Sequence, residues 1–385
     1  MIPRFDFRYL FKDFLNEIKY IDKSVGPDLN NLQNYYGGFP VTFVGKARIG
    51  ICIVLKALGL KPGSSVGVQP FTCSSVLFAI KNAGFKIVFI DIDHNFMLSH
   101  EDLRIKSQSI DALIITHIFG FPENTDALKP LIPNKPIIED CAQAFLSEFD
   151  GESVGLSGDA GVFSVGYGKL FGIGSGGFIV SKNRQVNINL IKEIEKLQYP
   201  TKMSIISESF KSLVLGVLYN PTIYYALTFT LKTWFKKNNI GLQEYPHSEL
   251  LLSLPRVTLF GKRFNDNLRM IRRQQENGRL LLSIIDCRFH AITPLERSTP
   301  NYFQVPLQSK YRDGIIAYLA RKGIEAGKHF SNSIYWVEAF GYIKGTCPNF
   351  ERTAGEVFTL PCHHYLSEKK IRYIAETLNN YHEDH

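Results

Sequence analysis

Between residues 49 and 181 the chain alternates between two hydrophobic rhythms. Short apolar runs predict strands at 65–68, 86–91, 111–118, 136–139, 160–164 and 177–181. Apolar residues spaced three and four apart predict helices at 49–58 and 74–83. The first is closed by Gly59-Leu60-Lys61-Pro62-Gly63 and the second by Gly84, stop signals that no helix interior accommodates well. Strands separated by helical stretches imply a mainly parallel sheet covered on both faces. In such a sheet ligands sit beyond the carboxyl ends of the strands.

Later in the chain a long basic helix is expected from residues 249–264 through 280. A smaller α/β unit follows, with helices at 312–322 and 367–381 and a glycine-marked exit at 323–327. The pattern divides into a large unit, 1–250, and a small C-terminal unit, 251–385, with an apolar insertion at about 200–240. Residues 212–231 carry no charge and are flanked by Lys211 and Lys232. Their length would just span a bilayer, but Asn220-Pro221 breaks the run in its middle. Three readings follow. One is a broken helical hairpin packed on the protein or a dimer partner. Another is a peripheral contact with the inner face of a membrane, helped by Lys232, Lys236 and Lys237. The third is a true span.

The chain has 385 residues, 45% of them hydrophobic and 21% charged, enough to bury a full core. Its net charge of +8 suits anionic partners: phosphorylated cofactors, nucleotide-linked substrates or a membrane surface. Basic residues are scattered, with only short doublets such as Lys236-Lys237, so nucleic acid is not an expected partner. The six cysteines form no CxxC pair. They read as reduced thiols of a cytoplasmic protein, without metal-ligand spacing. The N-terminus lacks the pattern of a signal peptide.

The chemistry concentrates in two places. Lys169 lies inside Phe163-Ser164-Val165-Gly166-Tyr167-Gly168-Lys169-Leu170-Phe171-Gly172-Ile173-Gly174-Ser175-Gly176-Gly177, a glycine-rich turn after an apolar strand. Upstream, Ile137-Ile138-Glu139-Asp140-Cys141-Ala142-Gln143 is a buried strand ending in an acid. A lysine able to form an imine, with a carboxylate placed against a pyridine nitrogen, is the minimal equipment for pyridoxal phosphate (PLP) chemistry. Taken singly, Lys169 reads as a surface lysine, Asp140 as a helix cap and Gln143 as a first-turn residue. Their joint pattern carries the assignment.

Further blocks extend it: Gly45-Lys46-Ala47, Gln69-Pro70-Phe71-Thr72, residues 83–93, Thr116-His117-Ile118-Phe119-Gly120, Lys322-Gly323-Ile324 and Leu360-Pro361-Cys362-His363. In order and spacing the chain resembles the DegT/StrS family of sugar-nucleotide aminotransferases, from about residue 40 to 382 except 200–245. The resemblance implies the α/β PLP-dependent transferase fold type I, with a large mainly parallel-sheet domain and a smaller C-terminal α/β domain, assembled as a homodimer. It implies that Lys169 bonds the cofactor and that Asp140 pairs with the protonated pyridine nitrogen. Gln143 then lies near the ring and Ser164 binds the phosphate. Gly45, Lys46 and Ala47 precede a helix whose amides favour an anion. Lys46 either adds charge there or is solvated.

Three departures stand out. Cys73 occupies the position where many relatives place a ring over the cofactor, with Phe71 two residues away. The nearest candidates for a phosphate ligand supplied by the partner subunit lie in residues 245–248. Val165-Gly166-Tyr167-Gly168 replaces the usual histidine before the lysine. The implied reaction is amino transfer from an amino acid, glutamate first, to a keto-sugar on a nucleotide diphosphate, serving polysaccharide, lipopolysaccharide or glycoconjugate biosynthesis. Two alternatives are a non-catalytic sensing paralogue at a membrane and a PLP-dependent sugar dehydratase. Retained Lys169 argues against the dehydratase.

Overall fold

The computed structural model describes residues 1–22, 28–220 and 250–382. The strands in chain order are β1 (Val41–Val44), β2 (Ser65–Val68), β3 (Lys86–Phe89), β4 (Ala112–Thr116), β5 (Ile137–Asp140), β6 (Glu148–Phe149), β7 (Glu152–Ser153), β8 (Ala160–Ser164), β9 (Gly177–Val180), β10 (His290–Ala291), β11 (Ser298–Thr299), β12 (Val305–Gln308) and β13 (Val357–Leu360). Seven form one sheet in the order β1-β9-β8-β5-β4-β2-β3. Strands β3, β2, β4, β5 and β8 run parallel, whereas β9 is antiparallel to both β8 and β1.

Every residue of β4 and β5 is buried, as continuous apolar runs require of strands covered on both faces. Helices Ala47–Ala57 and Ser74–Asn82 form where helical periodicity places them. The run expected to reach 118 stops at Thr116. Beyond it Phe119 takes a φ of 53°, which no strand can carry. Strand β1 was not anticipated. Its four residues show no turn signal of their own, and it forms because β9 offers an open antiparallel edge. The facing pair Phe163 and Phe178 on β8 and β9 stack with ring centroids 4.6 Å apart, stabilising this junction by about 1 kcal/mol beyond simple burial.

The wall beside the sheet is built differently. Helix Phe11–Lys19 buries Asp13 and Glu17 while Phe11 and Leu15 stand 61% and 51% exposed. Its acids meet the helix Leu254–Ile284: Asp13 accepts from Arg263 at 2.5 Å, and Glu17 faces Arg256 at 3.4 Å. Helix Lys202–Leu218, capped by the Thr201 hydroxyl, packs against the first helix through Ser209, which donates to Glu17. Its outer stripe of Met203, Ile206, Phe210, Val214 and Val217 is exposed. This helix begins ten residues before the apolar run expected at 212. The remainder of that run, and residues 245–248, lie outside the described residues. Among the described residues no helix is long and apolar enough to cross a membrane.

Strands β10, β12 and β13 form a second, antiparallel sheet flanked by helices Arg312–Arg321 and Glu368–Asn379. The N-terminus reaches this unit. Ile2 bridges Ile324, and the Arg4 N–H donates to Glu325 at 2.9 Å.

Candidate active site

Lys169 sits on a closed loop between β8 and β9. The loop is tied across its neck by Val165 N–H to Gly176 O at 3.1 Å and Ile173 N–H to Val165 O at 2.8 Å. Gly174 and Gly176 take φ values of 105° and 121°, reachable only without a side chain. A Cβ on Gly174 would lie 2.3 Å from the Ser212 hydroxyl. The glycines noted in the sequence therefore let the loop pinch shut against the neighbouring helix.

Asp140 ends β5, beside Val162 of β8, and is 4% exposed. Burial pushes its carboxyl above the ordinary range, against the pull of the Ala142 N–H at 3.0 Å and of the neighbouring Lys169. For Lys169, burial lowers the ammonium below the ordinary lysine range, opposed by Cys73 and Asp140. Its Nζ stands 5.7 Å from the Phe303 ring centroid. The fold thus brings Lys169, Asp140 and Cys73 near one another from a loop, a strand end and a helix start. Cys73 precedes helix Ser74–Asn82 and accepts the Ser75 hydroxyl at 3.1 Å. Phe71 is fully buried among Phe96, Phe119 and Phe330. Gln143 is buried nearby. Its amide oxygen accepts from Phe119 N–H at 2.7 Å.

A pair missed in the sequence lies behind Asp140. His117 Nδ1 accepts the Glu123 N–H at 2.9 Å, so its proton is on Nε2 and is donated to Glu139 at 2.8 Å. Burial pushes Glu139 up, but His117 and the amides of Gly155 and Gly158 outweigh it and hold the carboxyl below its usual range. Cys141 completes a group with metal-like spacing, yet the atoms of His117 and Glu139 are already spent on these bonds. The available signal was that Thr116-His117 and Glu139-Asp140 end neighbouring strands in register.

Next to this cluster a cleft of about 330 Å³ is lined by Lys46, Ala47, Ser75, Ser164, Tyr167, Ser175 and Lys211, among others. Helices Ala47–Ala57 and Ser74–Asn82 both begin here, neither with a side-chain cap, so their first-turn amides are available to an anion. The Gly45 N–H is not among these donors. It is given to Leu250 O at 2.8 Å, and a Cβ there would lie 2.7 Å from that oxygen. Gly45 thus serves chain packing, and the anion-facing segment begins one residue later.

These features fit PLP. A buried carboxyl raised by burial lies near a buried lysine whose ammonium burial disfavours. The Tyr167 hydroxyl is buried with no hydrogen-bond partner among the described residues. An anion-sized cleft opens alongside. A second cleft of about 430 Å³ shares the lysine loop and is lined by Arg4, Phe5, Arg8, Lys12, Phe303 and Tyr365 among others.

The chain matches the model of the DegT/DnrJ/EryC1/StrS aminotransferase family over residues 30–220 and 267–379, whose enzymes use PLP. It is 31% identical over 147 residues to GDP-perosamine synthase of Escherichia coli O157:H7. That match takes in 37% of this chain and 40% of the synthase, under half its length. It is 23% identical over 379 residues to dTDP-3-amino-3,4,6-trideoxy-alpha-D-glucose transaminase of Micromonospora megalomicea subsp. nigra, covering 92% and 90% of the two chains. Its fold superposes on a sugar aminotransferase from Micromonospora echinospora with a TM-score of 0.74 at 19% identity, over 99% of this chain and all of the other. The protein belongs to the DegT/DnrJ/EryC1/StrS aminotransferase family.

Proposed function

We propose that this protein transfers an amino group from an amino acid, glutamate first, to a keto-sugar carried on a nucleotide diphosphate, with PLP as cofactor. The observation that carries the reading is the placing of buried Asp140 at the carboxyl end of β5 and of Lys169 on the loop that leaves the adjacent β8. When bound, PLP supplies an electron sink for the substrate carbon. Asp140 holds a positive charge at the pyridine nitrogen. Lys169 bonds the cofactor and moves the proton at the substrate carbon, a role that needs the neutral amine its burial favours. Ser164, Lys46 and Ala47 hold the phosphate. Gln143 and Cys73 flank the ring.

Two findings support a nucleotide-sugar substrate. Relatives are named for GDP- and dTDP-linked sugars, and the cleft beside the lysine loop sets Arg4, Arg8 and Lys12 among aromatic rings, a pairing suited to a diphosphate and its base. The product would serve polysaccharide, lipopolysaccharide or glycoconjugate assembly. The protein would act in the cytoplasm as a homodimer.

The test is direct. Borohydride reduction of the holoprotein followed by peptide mass analysis is expected to place the cofactor on Lys169. Glutamate should bleach the visible band of the lysine-bound cofactor. A keto-sugar nucleotide should restore it and gain the mass of an amine in place of the ketone. A chain that carries no cofactor, or whose band ignores every amino donor and keto-sugar tried, would instead be a sensing paralogue.

A further inference from the structure

The cleft beside Lys169 is crowded with cations in a way the catalytic pair does not explain. Lys46 and Lys211 line it, Glu208 is the one carboxylate lining it among the described residues, and Glu208 is itself drawn to Arg256 at 3.6 Å. Like charges gathered this closely disfavour one another unless an anion sits among them. Part of the depression of the Lys46 ammonium comes from Arg48 and Lys211, after burial. Hydroxyls stand on the same surface. Ser175 accepts from Arg256 Nη1 at 2.6 Å, so its own proton is left to donate elsewhere. Ser212 is spent differently. It accepts from Arg256 at 3.0 Å and donates to the Glu208 carbonyl at 2.8 Å, which anchors the helix rather than serving a ligand.

The long side chain of Arg256 organises this wall. It is 2% exposed and connects Glu17, Ser175, Ser212 and Glu208, which come from three separate segments. With Arg256 in place, the lysine loop and helix Lys202–Leu218 cannot drift apart, and Lys211 stays at the mouth of the cleft.

We propose that helix Lys202–Leu218 completes the anion cup from within the same chain, with Lys211 and Ser175 as ligands of the cofactor's phosphate and Arg256 as the residue that positions both. This rests on the PLP reading of Lys169 and goes beyond it, since that reading needs neither the helix nor Arg256. Lys46 and Lys211 stand on the exposed rim, so their pull on an anion is screened by salt. Ser175, deeper in, acts through a short-range hydrogen bond that salt hardly affects.

The experiment compares PLP with pyridoxal, which has the aldehyde and ring but no phosphate, by spectroscopic titration of apoprotein. Inorganic phosphate serves as competitor. Lys211→Ala is expected to weaken PLP about fivefold to tenfold at low ionic strength, and Lys211→Glu more, with the losses shrinking as salt rises. Ser175→Ala should weaken PLP about fivefold at any salt. Pyridoxal should bind all three variants as it binds the parent. Phosphate should compete with PLP and not with pyridoxal, and compete less well in the Lys211 variants. Arg256→Lys keeps the charge but not the fork of donors, so it should reproduce the Ser175→Ala loss while circular dichroism stays native. An unchanged ratio of PLP to pyridoxal affinity in both Lys211→Glu and Ser175→Ala would overturn the assignment. A parent protein that bonds neither aldehyde would instead overturn the reading of Lys169.

Discussion

The lysine loop has two neighbours of opposite construction. On the sheet side, β8 and β9 bury aliphatic and aromatic side chains, with Phe163 and Phe178 stacked and Phe145 set edge-on to both. On the other side, three helices bury Asp13, Glu17, Arg256 and Ser209, while Phe11, Leu15, Met203 and Phe210 face outward. The apolar side is held by contacts that do not depend on the protonation or orientation of any one group. The ionic side is held by directional bonds, each of which fails if one partner is lost. The residues proposed for catalysis, Lys169 and Asp140, sit on the first. Arg256, proposed to position the phosphate ligands, sits on the second, where bond geometry can place a donor accurately.

This contrast can be broken experimentally. Lys169→Ala, made on the apolar side's loop, should abolish turnover by about 10⁴-fold or more with an unaltered circular dichroism spectrum. Normal activity would end the assignment. Glu17→Ala should cost about 3–5 kcal/mol of unfolding free energy in urea, because it leaves Arg256 buried without its carboxylate. Replacing both by apolar residues, as in Glu17→Leu with Arg256→Met, should recover most of that loss. A double variant as unstable as the single one would mean that the wall is not held by this ion pair. Asp140→Asn should leave stability nearly untouched but slow both half-reactions about 10²-fold or more and weaken the cofactor.

A smaller effect tests a residue between the two sides. Burial lowers His363 to about 4, against about 6.5 in an unfolded chain. The unfolded state therefore takes up a proton that the folded state refuses between those values. Stability contributed at neutral pH is lost as pH falls from about 6.5 to 4, on the order of 3 kcal/mol. The difference between parent and His363→Asn in denaturant titrations should follow that window, and a flat difference would show that the imidazole is solvated. Least of all, Phe210→Ser on the exposed stripe should change monomer stability by under about 0.5 kcal/mol. A larger loss would show that the stripe is covered in solution.

Much of the apolar side was legible beforehand because its signals are local. The run at 160–164, the stop at Gly84 and the acid ending Ile137–Asp140 each declare themselves within a few residues. Lys169 stood out because it is a single lysine inside a glycine-rich turn just past an apolar strand. The ionic side gave no such signals. Asp13 and Glu17 look like the wet face of an ordinary amphipathic helix, and only tertiary contact shows that this face is turned inward. Phe71 carried no sequence signal of its place, and its contacts with Phe96, Phe119 and Phe330 set it in the core.

From its order of residues alone, the chain determined its alternating strands and helices, the carboxyl-end position of Asp140 and the turn that carries Lys169. Those depend on periodicity and backbone freedom over short stretches. The tertiary structure decided that β9 reverses direction to admit β1, that Gly45 gives its amide to Leu250, and that Arg256 meets Glu17 from 239 residues away. Such pairings depend on which surfaces remain to be covered once the local elements exist, and no short window of sequence contains both members of the pair.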